Sequence, residues 1–394
     1  MKVLTRTIWI LSLISLFTDT ASEMLYPVMP LYLESIGFSI VLIGILEGMA
    51  EATAGLSKGY FGKLSDHSGR RVPFVQLGYA LSALSKPLMA AFAYPLWVFV
   101  ARTIDRLGKG LRTGARDAIL SDEATPATKG KVFGFHRSMD TLGAVLGPLL
   151  ALLYLQWHPG GYRMLFLIAL APGLIAIGCS LLLKDKKKAH IPSTERVSFF
   201  AFTGYWKSSP AVYRKLVSAL LLFTLFNSSD VFLLLKAKDA GMTDAAVITL
   251  YIFYNLVFAL AAFPLGILAD KWGLKKILLA GLLLFAGVYA GMAANRNEVY
   301  VYYGLFFLYG LYAAATEGIS KAWISNIADK KDTATAIGTF SGFQSICSML
   351  ASSLAGLTWF YFGAATTFII TSTVAVVSVV LLLRIPYVRS KPTV

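Results

Sequence analysis

Apolar residues in this chain gather into long runs separated by short polar turns, with no alternation along short segments. A helix needs about 20 such residues to cross the hydrocarbon of a bilayer. Twelve stretches of that order fit: 7–33, 39–65, 73–93, 95–120, 130–156, 162–183, 212–237, 244–269, 276–295, 299–326, 334–361 and 364–384. Several connections between them are only a few residues long, which makes neighbouring helices antiparallel. An outer-membrane barrel would instead read as short alternating segments. The pattern therefore predicts an all-α membrane protein with no room for a soluble domain. The opening MKVLTRTIWILSLISLF has the basic start of a signal peptide. Its apolar pattern nevertheless runs past Asp19 and Glu23 to Leu33 without a small-residue cleavage site, so it reads as an uncleaved first helix.

The longest polar stretch, 184–210, contains Lys184-Asp185-Lys186-Lys187-Lys188 and divides the chain into 1–183 and 211–394. An even number of crossings puts both termini on one side. Lys and Arg collect in cytoplasmic loops, so both termini and the linker are expected in the cytoplasm. The linker lysines read first as a solvated run, with lipid headgroup contact as the sharper alternative. The two halves also repeat each other. Gly62-Lys63-Leu64-Ser65-Asp66-His67-Ser68-Gly69-Arg70-Arg71 follows the second stretch, and Gly266-Ile267-Leu268-Ala269-Asp270-Lys271-Trp272-Gly273-Leu274-Lys275-Lys276 follows the eighth. The same offset of 204 residues aligns Gly134 with Gly338. A duplicated six-helix unit accounts for both.

Composition agrees. Charged residues make up 14% and hydrophobic ones 57% of the 394 residues, whereas a soluble domain is about 25% charged. Membrane topology explains the formal net charge of +15, so no nucleic-acid partner is implied. Cys179 and Cys347 stand alone inside apolar runs, and His67, His136, His158 and His190 are dispersed, so no metal or iron–sulfur site is expected. There is no phosphate-binding G-x-x-x-x-G-K-[ST] loop and no Gly-x-Ser-x-Gly nucleophile. ATP-driven transport and enzymatic chemistry are unsupported, and no cofactor is expected.

The glycine-rich turn at Gly62 to Arg71 resembles the loop signature G-x-L-a-D-r-x-G-r-R of the major facilitator superfamily. Three further stretches are similar to patterns of that family's antiporters. They are Pro27-Val28-Met29-Pro30 in the first helix, Arg106-x-x-Lys109-Gly110 in the fourth (lysine where the family has glutamine) and Gly134, Gly143, Gly147 and Pro148 in the fifth. Ala151-Leu152 stands where the last pattern closes on Gly-Gly. The resemblance spans essentially the whole chain. It implies twelve transmembrane helices as two pseudo-symmetric six-helix bundles around a central cavity, exposed alternately on either side. The wording of the fourth helix is similar to a bacterial subgroup, which implies the inner membrane. A monomer is expected.

Charges inside the spans point to function independently of the resemblance. Each costs about 2.5–3.5 kcal/mol on insertion scales, so it needs partners or a wet cavity. The first half carries Asp19, Glu23, Glu47, Glu51, Lys86, Arg137 and Asp140, and the fourth stretch carries Arg102, Asp105, Arg106, Lys109, Arg112, Arg116 and Asp117. Positions 102 to 116 recur every three or four residues and form one stripe about 21 Å long. Cations and acids balance, so buried pairs that merely fix packing are the bland reading. The sharper one has a carboxylate change protonation as its arginine neighbour is exchanged. Asp19 and Glu23 are the first choices for proton coupling, with Arg106 as the modulating cation and Glu51 and Asp140 next. Arg102, Lys109, Arg137, Asn227, Asp230 and Glu317 are the expected substrate contacts. Within 227–230, Ser228 and Ser229 add to a polar cluster, and Glu317 can pair with Lys321 along one helical face.

Gly62 and Gly69 permit the tight turn of the loop signature. Asp66 can accept hydrogen bonds from a neighbouring helix start, and Arg70 can pair with Asp117 or Asp122. The family implies that this set gates the transporter by latching its outward-facing state. The expected function is secondary active transport of a small organic, anionic or zwitterionic solute by proton-coupled antiport, directed outward. The competing readings are proton-coupled import of a metal chelate or organic acid, and a lipid flippase on the same fold.

Overall fold

Helix boundaries follow the polar punctuation of the chain. The computed structural model describes residues 3–26, 28–29, 32–33, 36–37, 40–92, 94–185, 201–227, 230–295 and 298–386. Among these there is no strand. In the first half, α1 is Arg6–Glu23, α2 Ile40–Ser68, α3 Val72–Ala91, α4 Pro95–Asp122 and α5 Lys129–Trp157, followed by α6 (Tyr162–Ile168) and α7 (Leu170–Ser180). A short α8 (Ala201–Ser208) precedes α9 (Ala211–Phe226), α10 (Asp230–Asp239), α11 (Asp244–Trp272), α12 (Leu274–Ala294), α13 (Val299–Ile327) and α14 (Thr333–Leu383).

Local chemistry sets several of these ends. Thr5 caps α1 by accepting from the Ile8 amide, and Thr243 caps α11 by accepting from that of Ala246. Proline opens α4, where its missing N–H costs nothing. The turns after α2 and α11 use Gly69 (φ 65°) and Gly273 (φ 104°), the same position in the two copies of the repeat. As an unbroken rod, α14 would be about 77 Å long, more than twice the hydrocarbon thickness. It breaks at Gly363, whose φ of 82° and ψ of 167° are not helical.

Among the described residues, seven helical segments are long and apolar enough to cross a membrane: Lys129–Trp157, Tyr162–Ser180, Ala211–Asp239, Ala246–Trp272, Leu274–Ala294, Val299–Ile327 and Lys330–Leu383. The helices before residue 123 are absent from that set, and α4, with eight charged residues, shows the reason most clearly.

Packing divides the chain into two compact units. The first comprises Met1–Glu123, Met139–Ser208 and Lys330–Ser345. Within it α4 packs against α2 and α3, and α7 against α1 and α3. The second comprises Ala124–Ser138, Ser209–Asp329 and Ile346–Val394, where α13 packs against α11 and α12.

Candidate functional site

In the first unit, glycines bring two acidic helices together. A Cβ on Gly143 of α5 would lie 2.5 Å from the Leu16 carbonyl oxygen, and one on Gly147 would lie 2.6 Å from the Met24 nitrogen. Only glycine permits this approach of α5 to α1. One turn before Gly143, Asp140 is buried, and its carboxylate accepts a hydrogen bond from Ser15. The same approach sets Asp19 of α1 beside it, since a Cβ on Gly143 would lie 3.0 Å from the Asp19 Cβ. Two carboxylates brought together repel, and one proton between them relieves that repulsion. Asp19 is half-buried, and Glu23 and Lys109 act on it as further charges. Arg116 lies behind the pair, 3.5 Å from the Ser15 hydroxyl, with its Nε donating to Asp117 at 2.9 Å.

The stripe on α4 is divided by its surroundings. Arg102, Asp105, Arg112 and Arg116 are buried, Arg106 is half-buried and Lys109 is exposed. Close contact through Gly78 and Gly108 lets α3 and α4 enclose the buried edge. Asp105 there takes both Lys86 (3.4 Å) and Arg102 (3.8 Å). Arg112 donates to Ser82 at 2.6 Å and stacks 4.6 Å above the Tyr79 ring. Asp105 and Asp117 thus supply counter-charge to Arg102 and Arg116 from α4 itself. Arg106, expected beside Asp19 and Glu23, acts on Asp105. The side chains of Glu47 and Glu51, and the residues Pro27, Pro30, Ser228 and Ser229, lie outside those described.

The loop signature builds a helix cap. Asp66 Oδ2 accepts from the Thr335 amide (2.7 Å) and hydroxyl (2.9 Å) at the start of α14, while Oδ1 takes Arg71 at 2.7 Å. Burial pushes the Asp66 carboxyl above its ordinary range, against the opposing pull of Arg71 and Thr335. A Cβ on Gly62 would meet the Ala334 carbonyl oxygen at 2.5 Å. The expected arginine is corrected by one position. Arg71 is buried and bridges Asp66 and Asp122, whereas Arg70 is exposed and Asp117 is taken by Arg116. The Arg71 and Val72 amides in turn donate to Asp185.

In the second unit, the repeat produces the same device. Asp270 accepts from the amides of Gly130 and Lys131 at the start of α5, both at 2.7 Å. The 204-residue offset was the signal for this residue, because it maps Asp66 onto Asp270 and Lys131 onto Thr335. Glu317 pairs with Arg137 on α5, a contact that spacing along α13 could not reveal beside the expected Lys321. The Arg137 guanidinium also lies 6.0 Å from the centre of the Phe258 ring. Asp230 accepts from the Tyr254 hydroxyl, and Asn227 donates to that of Tyr312 at 3.3 Å. No group of three or more metal-ligating side chains occurs among the described residues.

Comparison with known proteins decides what this assembly is. The model of the Major Facilitator Superfamily matches residues 11–253 and 231–394. The chain belongs to that superfamily. An uncharacterised MFS-type transporter of Methanocaldococcus jannaschii is 33% identical over 390 residues, covering 98% of this chain and 96% of its own. The multidrug resistance protein MdtH of Cronobacter sakazakii is 24% identical over 79% of this chain and 75% of its own. Among solved structures, the human organic anion transporter MFSD10 superposes with a TM-score of 0.81 at 18% identity, covering 96% of this chain and 99% of that one. At that identity the likeness carries the fold alone. This major facilitator protein is therefore an integral, multi-pass membrane transporter and not an enzyme.

Proposed function

We propose that this transporter is a proton-coupled exporter of small organic compounds that works by alternating access, and that the Asp19–Asp140 pair carries the coupling proton. The observation that supports this most is the glycine-permitted approach of α5 to α1, which sets the buried Asp140 and the half-buried Asp19 against the same helix contact, where one proton would relieve the repulsion of two acids. Moving either helix separates the carboxyls, so each takes the protonation state set by its own surroundings. Arg116 reaches the Ser15 hydroxyl that donates to Asp140, so a cation stands close to the acid of α5. The half-buried position of Asp19 gives the proton a route to water. Glu23 and Glu51 are secondary acids in this scheme, and Arg106 serves to hold Asp105.

The wider arrangement belongs to the same proposal. Twelve helices form bundles 1–183 and 211–394, joined by a cytoplasmic linker at 184–210, with both termini cytoplasmic in a bacterial inner membrane and the protein a monomer. Gating falls to Asp66 and Asp270, because each ties one sequence half to a helix start in the other, with Arg71 and Asp122 bracing the first. Gly62 and Gly69 make that turn possible. Asn227, Asp230, Arg137 and Glu317, all in the second unit, are the proposed solute contacts. Export is favoured by the MdtH likeness and by a Lactococcus lactis relative named as a multi-drug resistance efflux pump PmrA homolog, 23% identical over 85% of this chain. The test uses proteoliposomes loaded with a pH-sensitive dye and challenged with a panel of small organic compounds. Compounds that are transported are expected to drive proton movement through the natural protein. Asp140→Asn is expected to abolish that movement while leaving solute exchange intact. Proton movement that survives in Asp140→Asn and Asp19→Asn overturns the reading.

A further inference from the structure

The outward side of α11 ends in charge. Leu256, Leu260, Pro264 and Lys271 recur at four- and seven-residue steps, so they share one face of the helix, and all four are exposed. The three apolar ones lie within the span Ala246–Trp272, where an exposed apolar face meets lipid chains. Next to Lys271 stands Trp272, 62% exposed, at the end of the span where an amphipathic ring settles between hydrocarbon and water. Gly273 then turns the chain into α12, whose first turn carries the exposed Lys276. Lys275 donates to the Leu383 and Ile385 carbonyls at 2.9 and 2.7 Å, which brings the end of α14, with the exposed Arg384, to the same turn. The acid of the turn, Asp270, faces α5 instead, each of its oxygens accepting from an amide there. One carboxylate against Lys271, Lys275, Lys276 and Arg384 leaves the turn cationic.

The repeat supplies an internal comparison. In the first copy the protein brings its own anion to this turn, because Asp185 accepts from the Arg71 and Val72 amides at the start of α3. In the second copy α12 has no side-chain cap, and Lys271, Trp272 and Lys276 stand where the first has His67, Ser68 and Val72. A cationic turn without a capping acid, at the end of a lipid-facing apolar stripe, fits a molecule with an anionic head and apolar chains. We infer that the α11–α12 turn, with Lys271, Trp272, Lys276 and Arg384, is a binding site for the headgroup of an anionic phospholipid whose chains run along α11. The site stands apart from the proposed proton and solute residues and does not depend on what is carried.

The full chain in phosphatidylcholine nanodiscs doped with dibrominated lipid tests the site through tryptophan fluorescence. Dibrominated phosphatidylglycerol is expected to quench saturably, and dibrominated phosphatidylcholine only in proportion to its amount. Trp272→Phe should remove most of the saturable part. Lys271→Gln, Lys276→Gln and Arg384→Gln together should weaken phosphatidylglycerol association at least tenfold, since each charge near the surface is worth about fivefold. A charge-matched control, Arg70→Gln with Lys330→Gln and Lys331→Gln, also removes three exposed cations and is expected to leave the association unchanged. Should the first triple variant fail to fold, Lys276→Gln alone is expected to weaken association about fivefold. Equal association of the two lipids, an equal loss in the two triple variants, or saturable quenching that survives in Trp272→Phe overturns the site. Inorganic phosphate is expected not to displace the lipid. Displacement would assign the turn to a free anion and overturn the lipid reading.

Discussion

Single side chains decide the chemistry of this protein, and adjacent ones are not equivalent. Arg71 is buried between Asp66 and Asp122 while Arg70 points outward. Breaking a buried pair costs about 3–5 kcal/mol, whereas an exposed charge away from such features is worth about 0.5 kcal/mol or less. Arg71→Ala is therefore expected to lower the unfolding temperature in detergent sharply, and Arg70→Ala to leave it nearly unchanged. Equal effects would remove Arg71 from the centre of the network. The sequence nominated Asp19, Asp140 and Glu317 because an acid in an apolar run demands a reason, and Asp66 through the loop signature, with a neighbouring helix start as its partner. The partners of the first three were beyond its reach. Whether Asp19 meets Arg106 or Asp140 depends on how closely α5 approaches α1, and a choice between neighbouring arginines depends on which way a turn points. Spacing along one helix suggested Lys321 for Glu317, but packing brought Arg137 from another.

At the scale of elements, glycines and caps set what the helices can do. Gly143 and Gly147 were legible as a close-packing pattern, and the atoms they approach on α1 explain why a side chain is excluded there. Gly143→Val should force α5 off α1 at a cost of about 1–3 kcal/mol and part the acids as well. A thermal melt and a proton-flux assay check the two effects, and stability lost with coupling retained would deny the link. Gly363 is a purer case, because a Cβ there meets nothing within 4 Å. Its φ and ψ lie in a region essentially reserved for glycine, so Gly363→Ala should cost about 1–3 kcal/mol through strain alone. The caps at Asp66 and Asp270 are each worth about 0.5–2 kcal/mol. Asp270→Asn is expected to speed amide hydrogen exchange at residues 130 and 131, and Asp66→Asn at residue 335. Unchanged exchange would show that these acids do not hold the helix starts.

For the whole molecule, apolar run length identified the membrane class, and the 204-residue repeat identified the duplication. Family membership turns that class into a transporter. The seven apolar segments lie after residue 128, and the charges that break the apolar rule concentrate before residue 141. That asymmetry fits the proposal that the amino-terminal part handles protons. In that proposal energy conversion rests on one proton held between α1 and α5. Infrared spectroscopy of the purified protein during alkaline titration reads that proton through the C=O band of a protonated carboxyl. The account predicts a band that titrates away in the natural protein and is absent, or moved to a different pH, in Asp140→Asn. An identical band and titration in the two proteins would contradict it.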